Sequence, residues 1–129
     1  MNTPRHFLTM NDLSSDELLA VLRRASELKQ MQRNGTPHAS LTGKVMAMVF
    51  AKASTRTRVS FEAGMIQLGG SAVFLSSSAI QMGRGEPVED TAKVISSMVD
   101  IVMIRTFDHQ EVETFAANSS VPVLSLIHI

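Results

Sequence analysis

Apolar residues recur at helical spacing early in the chain. Leu18, Leu22, Ala25, Leu28 and Met31 fall on one face. Ser14 and Glu17 stand three positions apart just ahead of that stripe and predict a capping box. Lys29 and Arg33 load the last turns with positive charge, and Asn34-Gly35 ends the helix. After a loop over 36–43 the pattern changes. Lys44 to Ala51 is a continuous apolar run bounded by turn signals, as in a strand buried on both faces. Ser54-Thr55 opens a second helix through Leu68, stopped by Gly69-Gly70. Ser71 to Leu75 reads as a short strand, and residues 76–86 as a polar loop. Pro87 suits the first turn of a third helix whose stripe is Val88, Ala92, Ile95 and Val99. Asp100 to Ile104 is a third strand. Asp108 and Glu111 form a capping pattern ahead of a fourth helix marked by Val112, Phe115 and Ala116. Val121 to Leu124 completes the series as a fourth strand.

One helix, then three strand–helix units, then a strand predicts an α/β layer. Its sheet is parallel, of about four strands, flanked by helices and joined by right-handed crossovers. No sequence repeat, low-complexity tract or linker interrupts it. The chain of 129 residues is one domain, or a piece of a larger protein.

Composition narrows the chemistry. Lys plus Arg equals Asp plus Glu at 12 each, so there is no basic surplus for general nucleic-acid binding. A local basic pocket for a small anion remains compatible with that balance. The absence of cysteine excludes disulfides, thiolate metal sites and a cysteine nucleophile within this stretch. No apolar run is long enough to cross a bilayer, and Met1 to His6 leads into no signal-peptide core. The expectation is a soluble cytoplasmic protein.

In open parallel sheets, ligands bind outside the carboxyl ends of the strands. The first such end carries Ser54-Thr55-Arg56-Thr57-Arg58. A helix N-terminus presents unpaired N–H groups and partial positive charge, which favour an anion. Ser54, Thr55 and Thr57 add hydroxyls, and the arginines add forks matched to phosphate or carboxylate. The competing reading is an N-cap serine beside solvated arginines. Arg56 is the better aimed of the two, while Arg58 is equally suited to pairing with an acid. The third end carries Arg105, directly after an apolar strand. A charge there needs either a salt bridge or a ligand in the crevice. In the loop after the second strand, Gln81 and Arg84 are within reach of such a ligand, against a reading as plain surface loop.

Other apparent motifs fail. Gly64 to Ser71 imitates a P-loop, but Gly70 stands where lysine belongs, and the segment ends a helix. Gly83-Arg84-Gly85 starts a dinucleotide fingerprint that Val88 breaks. His6, His38, His109 and His128 lack metal-ligand spacing and are expected at the surface. The nine methionines read as core filler.

Ser54-Thr55-Arg56-Thr57-Arg58-Val59-Ser60-Phe61-Glu62 resembles the carbamoyl-phosphate motif of the aspartate/ornithine carbamoyltransferases. Arg5-His6-Phe7-Leu8 and Leu41-Thr42-Gly43-Lys44 fit that family, as do Gln81 to Pro87 and Glu89-Asp90-Thr91-Ala92. Met103 to Phe107 and Val121-Pro122-Val123 continue the likeness in the family's order. The resemblance implies the fold of the family's N-terminal domain. It implies transfer of the carbamoyl group of carbamoyl phosphate to the δ-amino group of L-ornithine, giving L-citrulline and phosphate. Ser54, Thr55, Arg56 and Thr57 would hold the phosphate, and Gln81 would contribute, in this family often across a subunit interface. Arg56 and Arg105 would act catalytically, with Thr57, on charge at the carbamoyl oxygen and departing phosphate. No metal or organic cofactor is implied. The complete enzyme is expected to be a homotrimer or higher oligomer without nucleic-acid or membrane partners.

Aspartate carbamoyltransferase shares the Ser-Thr-Arg-Thr-Arg pattern but usually carries a lysine before Gly-Glu, where this chain has Arg84-Gly85-Glu86. A catalytically inert phosphate-binding or assembly fragment is the alternative of another class. Residues 1–123 are therefore expected to form a carbamoyl-phosphate-binding domain incomplete at its C-terminal end. Residues 124–129 depart from the family, and the amino-acid-binding domain is absent. Such a chain is expected to be inactive alone, with the edge of its last strand open.

Overall fold

The computed structural model describes residues 3–51, 54–76, 87–105 and 108–126. The elements follow the predicted order: α1 Ser15–Arg33, β1 Val45–Phe50, α2 Thr55–Gln67, β2 Ser71–Ser76, α3 Val88–Ser96, β3 Ile101–Arg105, α4 His109–Ala117 and β4 Val123–Ser125. A short 3-10 turn, Met10–Asp12, precedes α1. The four strands run parallel in the order β2-β1-β3-β4.

Local chemistry sets the boundaries. The capping box of α1 is realised: Glu17 N–H donates to Ser14 Oγ at 3.2 Å, and Ser14 N–H donates to Glu17 Oε1 at 2.9 Å. The helix ends where Gly35 takes φ +69°, with Gly35 N–H on Gln32 O and Thr36 N–H on Met31 O. α2 ends the same way at Gly69, φ +90°, so both glycines satisfy carbonyls that the helix leaves unpaired. Pro87 is the N-cap of α3 rather than its first residue. α3 stops at Ser96, and Val99, beyond its end, still packs on the core. At α4 the side chain of Asp108 caps Gln110 N–H at 2.9 Å.

Alternation along β1 divides the core into two layers. Ala47 and Val49, with Val102, Ile104 and Val123, face Ala92 and Ile95 of α3 and Val112, Phe115 and Ala116 of α4. Met46, Met48 and Phe50, with Met103, face Met65 of α2. A strand covered on both sides has no polar face, which is why residues 45–50 read as one apolar run. Each large side chain buried this way contributes roughly 1.5–3 kcal/mol.

One expectation, the open edge of the last strand, is corrected, and α1 is more exposed than its apolar stripe suggests. α1 forms, but no residue of it is buried and Leu22 is 63% exposed. α2 covers one sheet face and α3 with α4 the other, so α1 lies outside the layers and its stripe is only grazed at Leu18, Leu28 and Met31. The edge of β4 is not open. Phe7 bridges Leu124, donating N–H to Val123 O and accepting from Ser125 N–H, both at 2.9 Å. The N-terminal segment thus takes the place of a further strand and occupies backbone groups that would otherwise recruit another chain.

Candidate functional site

β1 connects to β2 on one side, and the chain then crosses back to place β3 on the other side of β1. The strand order therefore reverses between β1 and β3. The crevice outside their carboxyl ends is the position where open parallel sheets take ligands. Ser54, Thr57 and Arg105 meet there.

Phe50 and Arg105 are in register at the ends of β1 and β3, and Ala51 N–H donates to Arg105 O at 2.8 Å. That pairing sets the Arg105 side chain beside the start of α2. Arg105 Nη1 donates to Thr57 Oγ1 at 3.4 Å, a long bond between residues 48 positions apart. Ser54 is extended, φ −148° and ψ 95°, and its hydroxyl donates to the same Thr57 Oγ1 at 2.9 Å. Thr57 accepts from both neighbours, which leaves its own hydroxyl proton to donate elsewhere. Ser54 is the N-cap by position, yet its side chain takes none of the first-turn N–H groups. Those amides and the helix dipole stay directed at the crevice.

The arginines divide. Arg58 sits 3.6 Å from Glu62 one turn on, with its guanidinium carbon 3.9 Å from the centroid of the Phe74 ring. The pairing alternative raised by the sequence is therefore the one realised at Arg58. Arg56 is exposed on the same first turn and makes no hydrogen bond or ion pair with any described residue. Arg105 likewise forms no ion pair among the described residues, so the salt-bridge reading is not met there. The crevice thus joins the Arg105 guanidinium with the hydroxyls of Ser54 and Thr57 beside a helix N-terminus, groups of the kind that suit an anion. Thr55 shares the exposed first turn. Gln81 and Arg84 lie outside the described residues.

Sequence reasoning missed the Phe74 platform; an aromatic two positions before the strand end was its only signal. All three histidines among the described residues, His6, His38 and His109, are partly buried. His6 is half-buried and accepts Val123 N–H at 3.0 Å. His109 is half-buried, with Nε2 2.8 Å from Glu113. Among the described residues no group of three or more His, Asp or Glu is arranged to hold a metal. No described helix is long and apolar enough to cross a membrane.

The model of the family described as aspartate/ornithine carbamoyltransferase, carbamoyl-P binding domain, matches residues 5–128. The ornithine carbamoyltransferase of Halorhodospira halophila is 62% identical over 121 residues, which is 94% of this chain and 40% of that protein. The ornithine carbamoyltransferase structure from Pyrococcus furiosus superposes with a TM-score of 0.91 at 44% identity, covering 95% of this chain and 39% of that one. That from Burkholderia thailandensis gives 0.90 at 52% identity, over 94% and 42%. The chain spans about 40% of the length of the curated relatives it matches. With a family match along nearly its whole length, the chain belongs to the aspartate/ornithine carbamoyltransferase family, in its carbamoyl-phosphate-binding domain.

Proposed function

We propose that this chain carries the carbamoyl-phosphate-binding domain of an ornithine carbamoyltransferase. In the complete enzyme the carbamoyl group passes to the δ-amino group of L-ornithine, yielding L-citrulline and phosphate. The observation that carries this reading is the shared hydroxyl of Thr57, which ties Ser54 and Arg105 into one crevice. Ser54, Thr55, Arg56 and Thr57 hold the phosphate through hydroxyls, guanidinium and first-turn amides. Gln81 contributes to carbamoyl-phosphate binding in the same proposal.

The neutral amine attacks the carbamoyl carbon and a C–N bond forms. Electron density moves onto the carbonyl oxygen, then returns as the C–O bond to phosphate breaks, and the amine loses a proton. Arg105 and Thr57 stabilise the charged oxygen, and Arg56 the departing phosphate. A preorganised donor of this kind is worth about 2.7–4 kcal/mol of barrier. The amino-acid-binding domain, the homotrimeric assembly and a cytoplasmic location belong to the same proposal. The family match runs on to residue 128 and β4 takes in Leu124 and Ser125, so the domain is extended past residue 123, and the chain alone is expected to be inactive.

Ornithine is favoured over aspartate by Gln81 with Arg84-Gly85-Glu86 and by the names of the relatives most like this chain. The test is Arg56→Ala in a complete enzyme carrying this domain, assayed for carbamoyl-phosphate binding and citrulline formation. Both should fall severely, and near-normal kinetics would remove the assignment.

A further inference from the structure

Arg58 closes the first turn of α2 twice over. Its backbone N–H donates to Ser54 O at 2.9 Å. Its guanidinium carbon lies 3.9 Å over the Phe74 ring of β2. Phe74 in turn packs on Phe50 with ring centroids 5.4 Å apart. Phe50 is 2% exposed and stands in register with Arg105, whose guanidinium meets Thr57. The contacts run from Arg58 through two rings to the strand that carries Arg105, and back to the same helical turn.

We infer that Arg58 is a positioning residue: clamped over Phe74, it fixes the first turn of α2 so that Ser54 to Thr57 meet Arg105 across the crevice. This rests on the carbamoyl-phosphate reading above. The planar guanidinium is suited to stacking on a ring, and an ammonium does not reproduce that geometry. Its face is occupied by Phe74 and an edge by Glu62, whereas the neighbouring Arg56 pairs with no described residue. Glu62 pairs with Arg58 at an exposed position and adds little. The ring contact carries the clamp.

The experiment uses the whole chain and carbamoyl phosphate as probe, with amide exchange and side-chain proton shifts read by NMR. The δ-protons of Arg58 should be shifted upfield by the ring current of Phe74. Arg58→Lys and Phe74→Leu should each weaken binding about two- to five-fold. Both should speed exchange at the Arg58 amide while the β1 and β3 amides keep their rates. The double variant should be no worse than either single one, and Phe74→Tyr, which keeps the ring, should bind as wild type. Binding lost in Arg58→Lys but kept in Phe74→Leu overturns the inference, since the guanidinium would then touch the ligand itself. An absent ring-current shift, or an Arg58 amide indifferent to Phe74→Leu, overturns it also. Wild-type binding that survives Arg56→Ala overturns the site reading instead. So does wild-type chain that fails to bind, and the clamp is then decided by the Arg58 amide and the ring-current shift.

Discussion

Val123 donates its backbone N–H to Nδ1 of His6, a side chain 117 positions earlier, at 3.0 Å. On either side of that bond Phe7 pairs with Val123 O and Ser125 N–H. The imidazole does for the edge of β4 what a carbonyl of an adjoining strand would do. Nδ1 accepts a hydrogen bond only while the ring is neutral. Burial pushes the His6 pKa below its ordinary 6.5, and the negative charge of Asp12 opposes that push.

Stability should therefore fall as the solution is acidified through the histidine range. A group with a depressed folded pKa binds fewer protons folded than unfolded. The stability that neutral His6 supplies is fully present above the unfolded value of 6.5 and is lost as pH drops below it toward the folded value. Urea midpoints taken near pH 8 and near pH 5 should differ in this direction. His6→Asn offers a non-titrating acceptor and should flatten that component. His6→Ala should destabilise by about 1–3 kcal/mol at pH 8, because Val123 N–H is left without its partner.

Glu17 should remain ionised far below the ordinary carboxylate range. Arg5 Nη2 donates to Glu17 Oε1 at 2.8 Å, and Ser14 N–H donates to the same oxygen at 2.9 Å. Together they hold the carboxyl at about 2, against an ordinary 4.5. The contribution is present above the unfolded value and disappears as pH falls from there toward 2. Carbon-detected titration should place the midpoint near 2, and Arg5→Ala should move it toward 4.5. The pair is exposed, so added salt should narrow the difference.

Gly70→Ala should destabilise the fold by about 1–3 kcal/mol, measured by urea unfolding. A Cβ there would stand 2.7 Å from Lys44 O, 2.8 Å from the terminal methyl of Met65 and 3.1 Å from Leu41 O. The methionine tip can swing aside, but the two carbonyls belong to the approach to β1 and cannot. Gly64→Ala, where the space is open and α2 is regular, serves as the control and should be neutral or mildly stabilising.

The layers were legible because each carries a local signature. The apolar run at 45–50, the capping residues Ser14 and Asp108, and the Gly35 and Gly69 stops act within a few residues of themselves. The strand–helix junction that holds the candidate site was legible for the same reason, since it is contiguous in sequence. What escaped depends on long-range pairing. The fit of Phe7 against β4, the His6 acceptor and the Phe74 platform under Arg58 join residues that no spacing rule connects. The exposure of α1 escaped for the opposite reason: its stripe is helical, but burial requires a surface to receive it, and α2, α3 and α4 already cover the sheet.

Thr57→Val separates the chemistry of the crevice from its architecture. Valine keeps the shape and branching of threonine and removes one oxygen. The two donors released, Ser54 Oγ and Arg105 Nη1, belong to half-buried residues at the mouth of the sheet, where water replaces the lost acceptor. Unfolding free energy should thus change by less than about 1 kcal/mol. Binding and turnover should respond far more. On the proposed function, the hydroxyl proton left free by those two donors would serve the carbamoyl oxygen, and Arg105 loses a bond to Thr57. In a complete enzyme, kcat should fall about 10²–10³-fold while the ornithine KM stays within a small factor. A variant with wild-type kcat would show that the Thr57 hydroxyl takes no part in the reaction, and one that lost stability in step with activity would show a structural role alone.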